Sequence, residues 1–283
     1  MLLITGGNGR LGRQLIEQLN QLHLQKQFIV SVRDMNKAQT LIAANNQVRC
    51  IDFNDTHSLE KGLKDIQTLF FISVDGPLPA RMQQQQNVIE AATRMGVKHI
   101  VYTSFIDIAE DSPFALSKAH AKTEYLLKQS GITYTLLRNN LYADLVPLLA
   151  KLTDGNFTLP AHNGKVAFIS REDIASFAVK VLLEPNKHQN KTYELTGSQA
   201  YTYFEVATLL SKKFSKEVNY RPGTSADYIQ QLQKIGLPVS LASAMSGMYE
   251  AVKEEHLGYA RISPDFEKVM GKPAKSLQDW LMI

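Results

Sequence analysis

Apolar residues along the first half of the chain follow two alternating rhythms. Short, mostly apolar runs occur at 2–5, 27–33, 48–52, 68–73, 99–103 and 133–138. Between them, apolar residues return every three or four positions at 11–21, 36–44, 57–63, 80–95 and 114–129. Short continuous runs predict strands covered on both faces, and the longer period predicts amphipathic helices. Alternation of the two predicts right-handed crossovers and a doubly wound, mainly parallel α/β sheet. A helix at 172–183 and a strand at 191–195 are expected to return to that sheet. Beyond Thr196 helical patterns dominate, at 203–214, 226–235 and 240–253, with short helices at 265–270 and 276–282. Pro222-Gly223 and Gly236-Leu237-Pro238 punctuate them, and no internal repeat is present.

The chain opens on Met1-Leu2-Leu3-Ile4 followed by Thr5-Gly6-Gly7-Asn8-Gly9-Arg10-Leu11-Gly12. This is a strand, a glycine-rich turn and a helix start, with G-x-x-G-x-x-G spacing. Gly6 allows a tight reversal, Gly9 leaves room for a pyrophosphate, and Gly12 lets the helix lie close to the strand. The free N–H groups and partial positive charge of the helix start favour an anion. Gly6, Asn8, Gly9, Arg10, Leu11 and Gly12 are therefore candidate cofactor-binding residues. The pattern predicts a Rossmann-type NAD(P)-binding core over 1–140. A mixed region over 141–283 returns to the sheet at about 165–196 and supplies a smaller, mainly helical C-terminal substrate subdomain. An apolar helix is expected at 145–152.

Composition narrows the class. With 283 residues and 44% hydrophobic content, one sizeable α/β unit with an added subdomain is expected. No apolar run approaches the ~20 residues of a membrane span. The first strand begins at once, leaving no room for a secretory signal. Cys50 is the sole cysteine, which excludes a disulfide framework and a thiolate metal site. A cytoplasmic location is expected, and the N-x-[ST] matches at Asn54, Asn156 and Asn190 are read as chance. The net charge of +4 is spread along the chain, so direct nucleic-acid binding is not expected. The seven histidines show no metal-binding spacing, and no G-x-S-x-G elbow occurs. The run Gln83–Gln86 is expected on an exposed helix face or at a site rim.

The end of the second strand bears on cofactor choice. An NAD-selective fold places Asp or Glu there, on the ribose 2′-hydroxyl. Here Val32-Arg33-Asp34 puts an arginine at the strand end, with Lys37 following. Both suit the 2′-phosphate of NADP, whereas a one-residue register shift would bring Asp34 to the ribose. NADPH is the expected cofactor, with NADH as the lesser choice. Asp52 and Phe53 end the third strand, where they can meet the adenine; alternatively, Asp52 caps the helix near His57.

Five stretches carry a family resemblance. They are Ile4–Gly12, Val32–Ala38, Gly96–Ser104, His120–Glu124 and Tyr134–Tyr142, and the last two are the most specific. Together they resemble the atypical short-chain dehydrogenases/reductases of the NmrA-like group, and among them the members that reduce quinones and triphenylmethane dyes. The resemblance covers most of the chain and weakens after residue 220.

The usual short-chain dehydrogenase carries a Tyr-x-x-x-Lys pair, whose lysine helps the phenol to exchange a proton with the substrate. Counting back from Glu124 puts His120 at the lysine position and Leu116 at the tyrosine position. Counting from Lys118 puts Phe114 at the tyrosine position. Neither register supplies a phenol, which argues against reversible alcohol oxidation and sugar epimerisation. An electron-poor acceptor such as a quinone still accepts hydride and delocalises the negative charge, and the resemblance implies acceptors of this kind, quinones or conjugated cationic dyes. His120 is the candidate for holding the nicotinamide ribose or supplying a proton, with a packed helix histidine as the alternative. Asn139 and Tyr142 are the further catalytic candidates, with Asn140 a weaker one. Ile72 and Ser73, Ser104 and the neighbouring Phe105 are expected at the cofactor or substrate. The sequence thus predicts an NAD(P)H-dependent reductase of quinone-like acceptors, with a non-turnover redox-sensing regulator as the alternative. A homodimer stays open.

Overall fold

The computed structural model describes residues 1–151 and 155–282. In chain order the elements are β1 (Leu2–Ile4), α1 (Arg10–Gln21), β2 (Phe28–Val32), α2 (Gln39–Ala43), β3 (Gln47–Cys50), α3 (Thr56–Leu63), β4 (Thr68–Phe71), α4 (Leu78–Arg94), β5 (His99–Phe105), α5 (Ser117–Gln129), β6 (Thr133–Asn139), α6 (Val146–Lys151), β7 (Asn156–Leu159), β8 (Lys165–Val166), α7 (Arg171–Leu183), β9 (Lys191–Leu195), β10 (Tyr201–Thr202), α8 (Tyr203–Phe214), β11 (Asn219–Pro222), α9 (Ser225–Lys234), α10 (Val239–Ala251), α11 (Asp265–Met270) and α12 (Leu277–Leu281). Residues Met1–Ser104, Lys122–Leu137 and Ile174–Tyr193 form one compact unit. Phe105–Ala121, Arg138–Asp173 and the chain from Glu194 onward form a second.

Seven strands pair in the order β3-β2-β1-β4-β5-β6-β9. The pairs β1/β2, β1/β4, β2/β3 and β4/β5 are parallel. This is the Rossmann-type doubly wound sheet expected from the alternating pattern. The order reverses between β1 and β4, and in such sheets a ligand lies beyond the carboxyl ends of the strands at that switch. In the first unit, Leu3, Ile29, Leu69, Phe71, Ile100, Tyr102 and Leu136 pack with Leu59, Leu63, Val88 and Ile89 of the flanking helices. On α1 the buried residues are Leu11, Gly12, Leu15, Ile16 and Leu19, the face that the helical spacing marked. β3 ends the strand order and is half-exposed, so it departs from the buried pattern of its neighbours.

Several boundaries differ for local reasons. The helix expected at 36–44 divides into a 3₁₀ turn, Met35–Lys37, and α2, because the Asp34 side chain accepts from the Asn36 N–H and tightens the first turn. The helix expected from 114 begins at Ser117; the Phe114 N–H is taken by the Ser112 hydroxyl, and the Phe114 carbonyl by the Ser117 N–H. In the apolar stretch at 145–152, Ala143–Leu145 form a 3₁₀ turn before α6, and Leu152 lies outside the described residues.

The second unit has a core built from Phe157, Phe168, Tyr203, Val206, Leu210, Tyr249, Tyr259 and Leu277. Two short pairings that periodicity did not reveal, antiparallel β8/β10 and parallel β7/β11, brace it. α8 starts on a capping box, with Thr202 and Glu205 satisfying each other's backbone N–H groups. Among the described residues no helix is long and apolar enough to cross a membrane. No group of three or more His, Cys, Asp or Glu among them is arranged for a metal ion.

Candidate active site

The glycine turn is built by close contacts of backbone with its surroundings. Gly6 takes φ +64, and its carbonyl accepts from the Gly9 N–H at 2.9 Å. A Cβ on Gly12 would stand 2.3 Å from that same carbonyl, and one on Gly7 would stand 2.0 Å from the Val30 side chain. Gly12 and Gly7 are therefore set by packing. Gly7 is the position whose role the glycine spacing did not reveal. Gly9 caps α1 in extended backbone, and a Cβ there meets only the Gly6 carbonyl, at 3.2 Å. α1 has no side-chain cap and no acidic residue in its first turn. Its positive end therefore has no charge partner from the first turn of its own helix.

Two threonines fix the loop that follows β4. Thr5 Oγ1 accepts from the Ile72 N–H at 2.9 Å, and Thr103 Oγ1 accepts from the Ser73 N–H at 2.8 Å. The loops after β1, β2, β3 and β4 then surround a cavity of about 500 Å³ in the first unit. Of the residues expected at the cofactor, Gly6, Asn8, Gly9, Arg33, Lys37, Asp52, Phe53, Ile72 and Ser73 line it. Arg10, Leu11, Gly12, Ser104 and His120 do not. Arg10 is exposed at the start of α1, and Leu11 and Gly12 face its buried side. Ser104 is buried, with its hydroxyl donating to Glu124 at 2.7 Å.

The cavity also takes in Ser31, Asp34, Val74, Asp75 and Gln84. Gln84 comes from the glutamine run, which divides by helix face. Gln84 bonds Asn54, Gln83 and Gln86 bond Asn87 and Glu90 at the surface, and Gln85 is fully buried between Tyr102 and Thr123. Helical position within α4, not composition, separates them. Asp52 does not cap α3; Asp55 does, and Asp52 accepts from the Asn54 N–H. Arg33 and Lys37 are exposed at the cavity and enter no ion pair among the described residues.

In the second unit His120 is buried, its ring stacked on Phe105 with centroids 5.8 Å apart. Phe105 also meets Phe114 and Tyr259 edge-on, at 5.3 and 5.9 Å. Tyr259 donates its hydroxyl to Asp107 Oδ2 at 3.1 Å. Burial raises the Asp107 carboxyl above the usual carboxylate range, although it accepts from Ser112, Ala109 and Tyr259. Burial, with the Asp107 charge beside it, raises the Tyr259 phenol well above its ordinary value.

Asn139 and Asn140 contrast sharply. The Asn140 carboxamide donates to the Tyr259 carbonyl at 2.9 Å and accepts from the Leu141 N–H at 2.8 Å. The Asn139 side chain is equally buried, at 1% exposure, and neither its oxygen nor its nitrogen has a partner among the described residues. Buried polar groups are nearly always bonded, so the bare donor and acceptor of Asn139 set it apart from its neighbour. Tyr142 is half-buried, with the Arg171 guanidinium 4.1 Å from its ring centre.

Residues 1–281 match the NmrA-like family. The chain belongs to that family. Quinone oxidoreductase 2 of Escherichia coli is 37% identical over 281 residues, covering 99% of this chain and 96% of that protein. The E. coli NADPH-dependent quinone oxidoreductase, solved in complex with NADPH, superposes with a TM-score of 0.89 at 35% identity, over 100% of this chain and 99% of that one. Triphenylmethane reductase of Citrobacter sp., solved with NADP(H), gives 0.88 at 32% identity, over 99% and 98%. The resemblance carried by the five sequence stretches therefore holds across the chain.

In this NmrA-like chain the cavity residues suit a dinucleotide phosphate chemically. The helix start carries no acid, and among the described residues Arg33 and Lys37 line the cavity without an ion pair and Asn8 Oδ1 is buried without a partner. Asp34 spends one carboxylate oxygen on the Asn36 N–H, which ties it to the 3₁₀ turn.

Proposed function

We propose that this chain is an NADPH-dependent reductase that passes hydride to quinone-like or conjugated, electron-poor acceptors. The observation that carries the reading is the cavity at the β1/β4 switch, with Arg33 and Lys37 at its rim. Gly6, Asn8 and Gly9 would cradle the pyrophosphate, and Arg33 and Lys37 the 2′-phosphate. Asp52 and Phe53 would flank the adenine, with Ile72 and Ser73 beyond. The bound nucleotide supplies hydride; the chain orients it and excludes water. His120, Asn139 and Tyr142 are the proposed catalytic group. Asn139, with both amide ends unpaired, is suited to a carboxamide or a carbonyl.

The positions of the usual phenol hold Leu116 and Phe114, which supports acceptors that tolerate a late proton. Alcohols need a base as the hydride leaves, and none stands there. The test is the loss of NADPH absorbance against a panel of quinones and triarylmethane dyes, with secondary alcohols plus NADP in the reverse direction. Turnover with the first two and none with alcohols is expected. Tight NADPH binding without consumption by any acceptor would overturn the reductase and leave the redox-sensing regulator.

A further inference from the structure

Reduction of a quinone needs a proton as well as hydride, and the usual phenol is missing. We propose that Tyr142 gives that proton, and that Arg171, anchored by Asp144, is the cation that fits it to do so. The inference rests on the reductase reading.

The geometry is rigid. The Ile169 N–H donates to the Leu141 carbonyl at 3.0 Å, and the Ala143 N–H donates to the Ile169 carbonyl at 2.9 Å. Tyr142 is thus clamped by a parallel bridge to Ile169, two residues before Arg171. The guanidinium carbon of Arg171 stands 4.1 Å from the Tyr142 ring centre, and its Nη1 bonds Asp144 Oδ2 at 2.9 Å. The Arg171 and Asp144 side chains are only 12% and 17% exposed, so solvent screens the pair weakly.

Arg171 does nothing for its own helix. It is the first residue of α7, where a cation faces the positive end of the helix dipole. The start of α7 is served by Ser170, which accepts from the Asp173 N–H, and by the acids Glu172 and Asp173. A cation in an unfavourable place, aimed at an aromatic face, indicates a task outside the helix. Over a phenol, a permanent charge favours the phenolate, the service that lysine renders in the usual pair. Tyr142 follows the carboxyl end of β6, the side of an open α/β sheet where ligands bind.

The step balances as follows. A quinone that has gained hydride, with its two electrons, is a hydroquinone carrying one negative charge. The Tyr142 O–H bond breaks, a new O–H bond forms on the acceptor oxygen, and water returns a proton to the phenolate beside Arg171. NADPH is oxidised to NADP in the same turnover. A cationic triarylmethane dye becomes neutral on taking hydride and needs no proton.

The acceptors therefore separate acid catalysis from mere support of the site. Tyr142→Phe keeps the ring under the guanidinium and should slow quinone turnover by ~10²-fold, the lower range for a positioned acid. Turnover of the dye, both acceptor KM values and the NADPH Kd should stay within about two-fold, because those steps do not use the hydroxyl. Arg171→Met should also slow quinone turnover and leave the dye unaffected, and Arg171→Lys should restore part of the quinone rate. A readout without turnover is tyrosinate absorbance on raising pH. One phenol should ionise earlier in the wild type than in Arg171→Met, and that component should vanish in Tyr142→Phe. Equal losses on both acceptors, no loss on either, or identical titrations for wild type and Arg171→Met would overturn the proposal. A wild-type protein inert to both acceptors would instead overturn the reductase reading, and this inference with it.

Discussion

Arg33→Ala tests the cofactor end of the site with little risk to the fold. Arg33 leaves β2 at the cavity rim with an exposed side chain, and its backbone carbonyl accepts from the Cys50 thiol at 3.4 Å. Truncation therefore removes a charge without opening a hole. A hydrogen bond to a charged group contributes ~1.5–3 kcal/mol. Arg33 is exposed, so the lower end applies, and the NADPH Kd should rise by about 10-fold. NADH lacks the 2′-phosphate, and its Kd should barely move. The contrast should shrink with salt, because the screening length falls from ~10 Å at 0.1 M to ~3 Å at 1 M. Calorimetric titration of both nucleotides into both proteins at the two ionic strengths reads all of these terms. Equal weakening of NADH and NADPH would move Arg33 from the phosphate to the adenine. An NADPH loss indifferent to salt would remove the electrostatic argument altogether.

Three further outcomes follow from particular residues. Gly9→Val should stay folded and lose dinucleotide binding, because its backbone is extended and an added Cβ meets only the Gly6 carbonyl at 3.2 Å; near-wild-type affinity by calorimetry would make the turn purely structural. Asn139→Leu should raise thermal stability by ~1–3 kcal/mol, by removing a buried amide with no partner, and should lower kcat/KM for quinones; a variant that melts earlier would show that the amide already has a partner in the resting protein. His99 is held by burial and by the nearby His188 at a pKa of about 4, below its ordinary 6.5. The unfolded chain then takes up the extra proton as pH falls from about 6.5 to 4, so stability is complete above that window and lost through it, by up to ~3 kcal/mol. Chemical denaturation of His99→Gln against wild type at pH 7.5 and 4.5 checks the sign, and an unchanged difference between them would refute it.

The first unit was largely legible in the sequence, because buried parallel strands and amphipathic helices leave unlike periods. The helix Tyr203–Phe214, the strand Lys191–Leu195 and the helix Asp265–Met270 coincide with their expected bounds. What escaped were elements too short for any period, such as the two-residue strands β8 and β10. Gly7 escaped because its constraint is a contact with Val30, on a different strand. At the site, the motif signalled the turn, and Arg33 with Lys37 was legible from the strand end. Asp34 entered only as the register alternative and Gln84 only within the glutamine run; Val74 and Asp75 were not legible, since only the strand order gathers the loops around the cavity. Arg171 lies 29 positions after Tyr142 and carries no motif; the backbone bridge at Ile169 alone brings the two together.

Unsatisfied polarity does not by itself mark a site, and the molecule supplies its own control. The Thr135 hydroxyl donates to the His188 carbonyl, so it must accept from His99 Nε2 at 2.8 Å. That fixes the His99 tautomer and leaves Nδ1 buried without a partner among the described residues. Yet His99 begins β5, at the end of the sheet remote from where doubly wound folds bind ligands. Asn139 ends β6, at the opposite end of the sheet. Its neighbour Asn140, of the same type and equally buried, is fully bonded within the chain. The difference between the adjacent asparagines therefore does not lie in residue type or depth. A fold with total stability of ~5–15 kcal/mol can carry an unpaired amide at a cost of about 1–3. At His99 the cost is expected to appear as acid sensitivity, whereas under the proposed function an arriving carbonyl or carboxamide would relieve it at Asn139. In the proposed function, position relative to the strand ends would thus turn the same physical deficit into a fold property in one case and a binding determinant in the other.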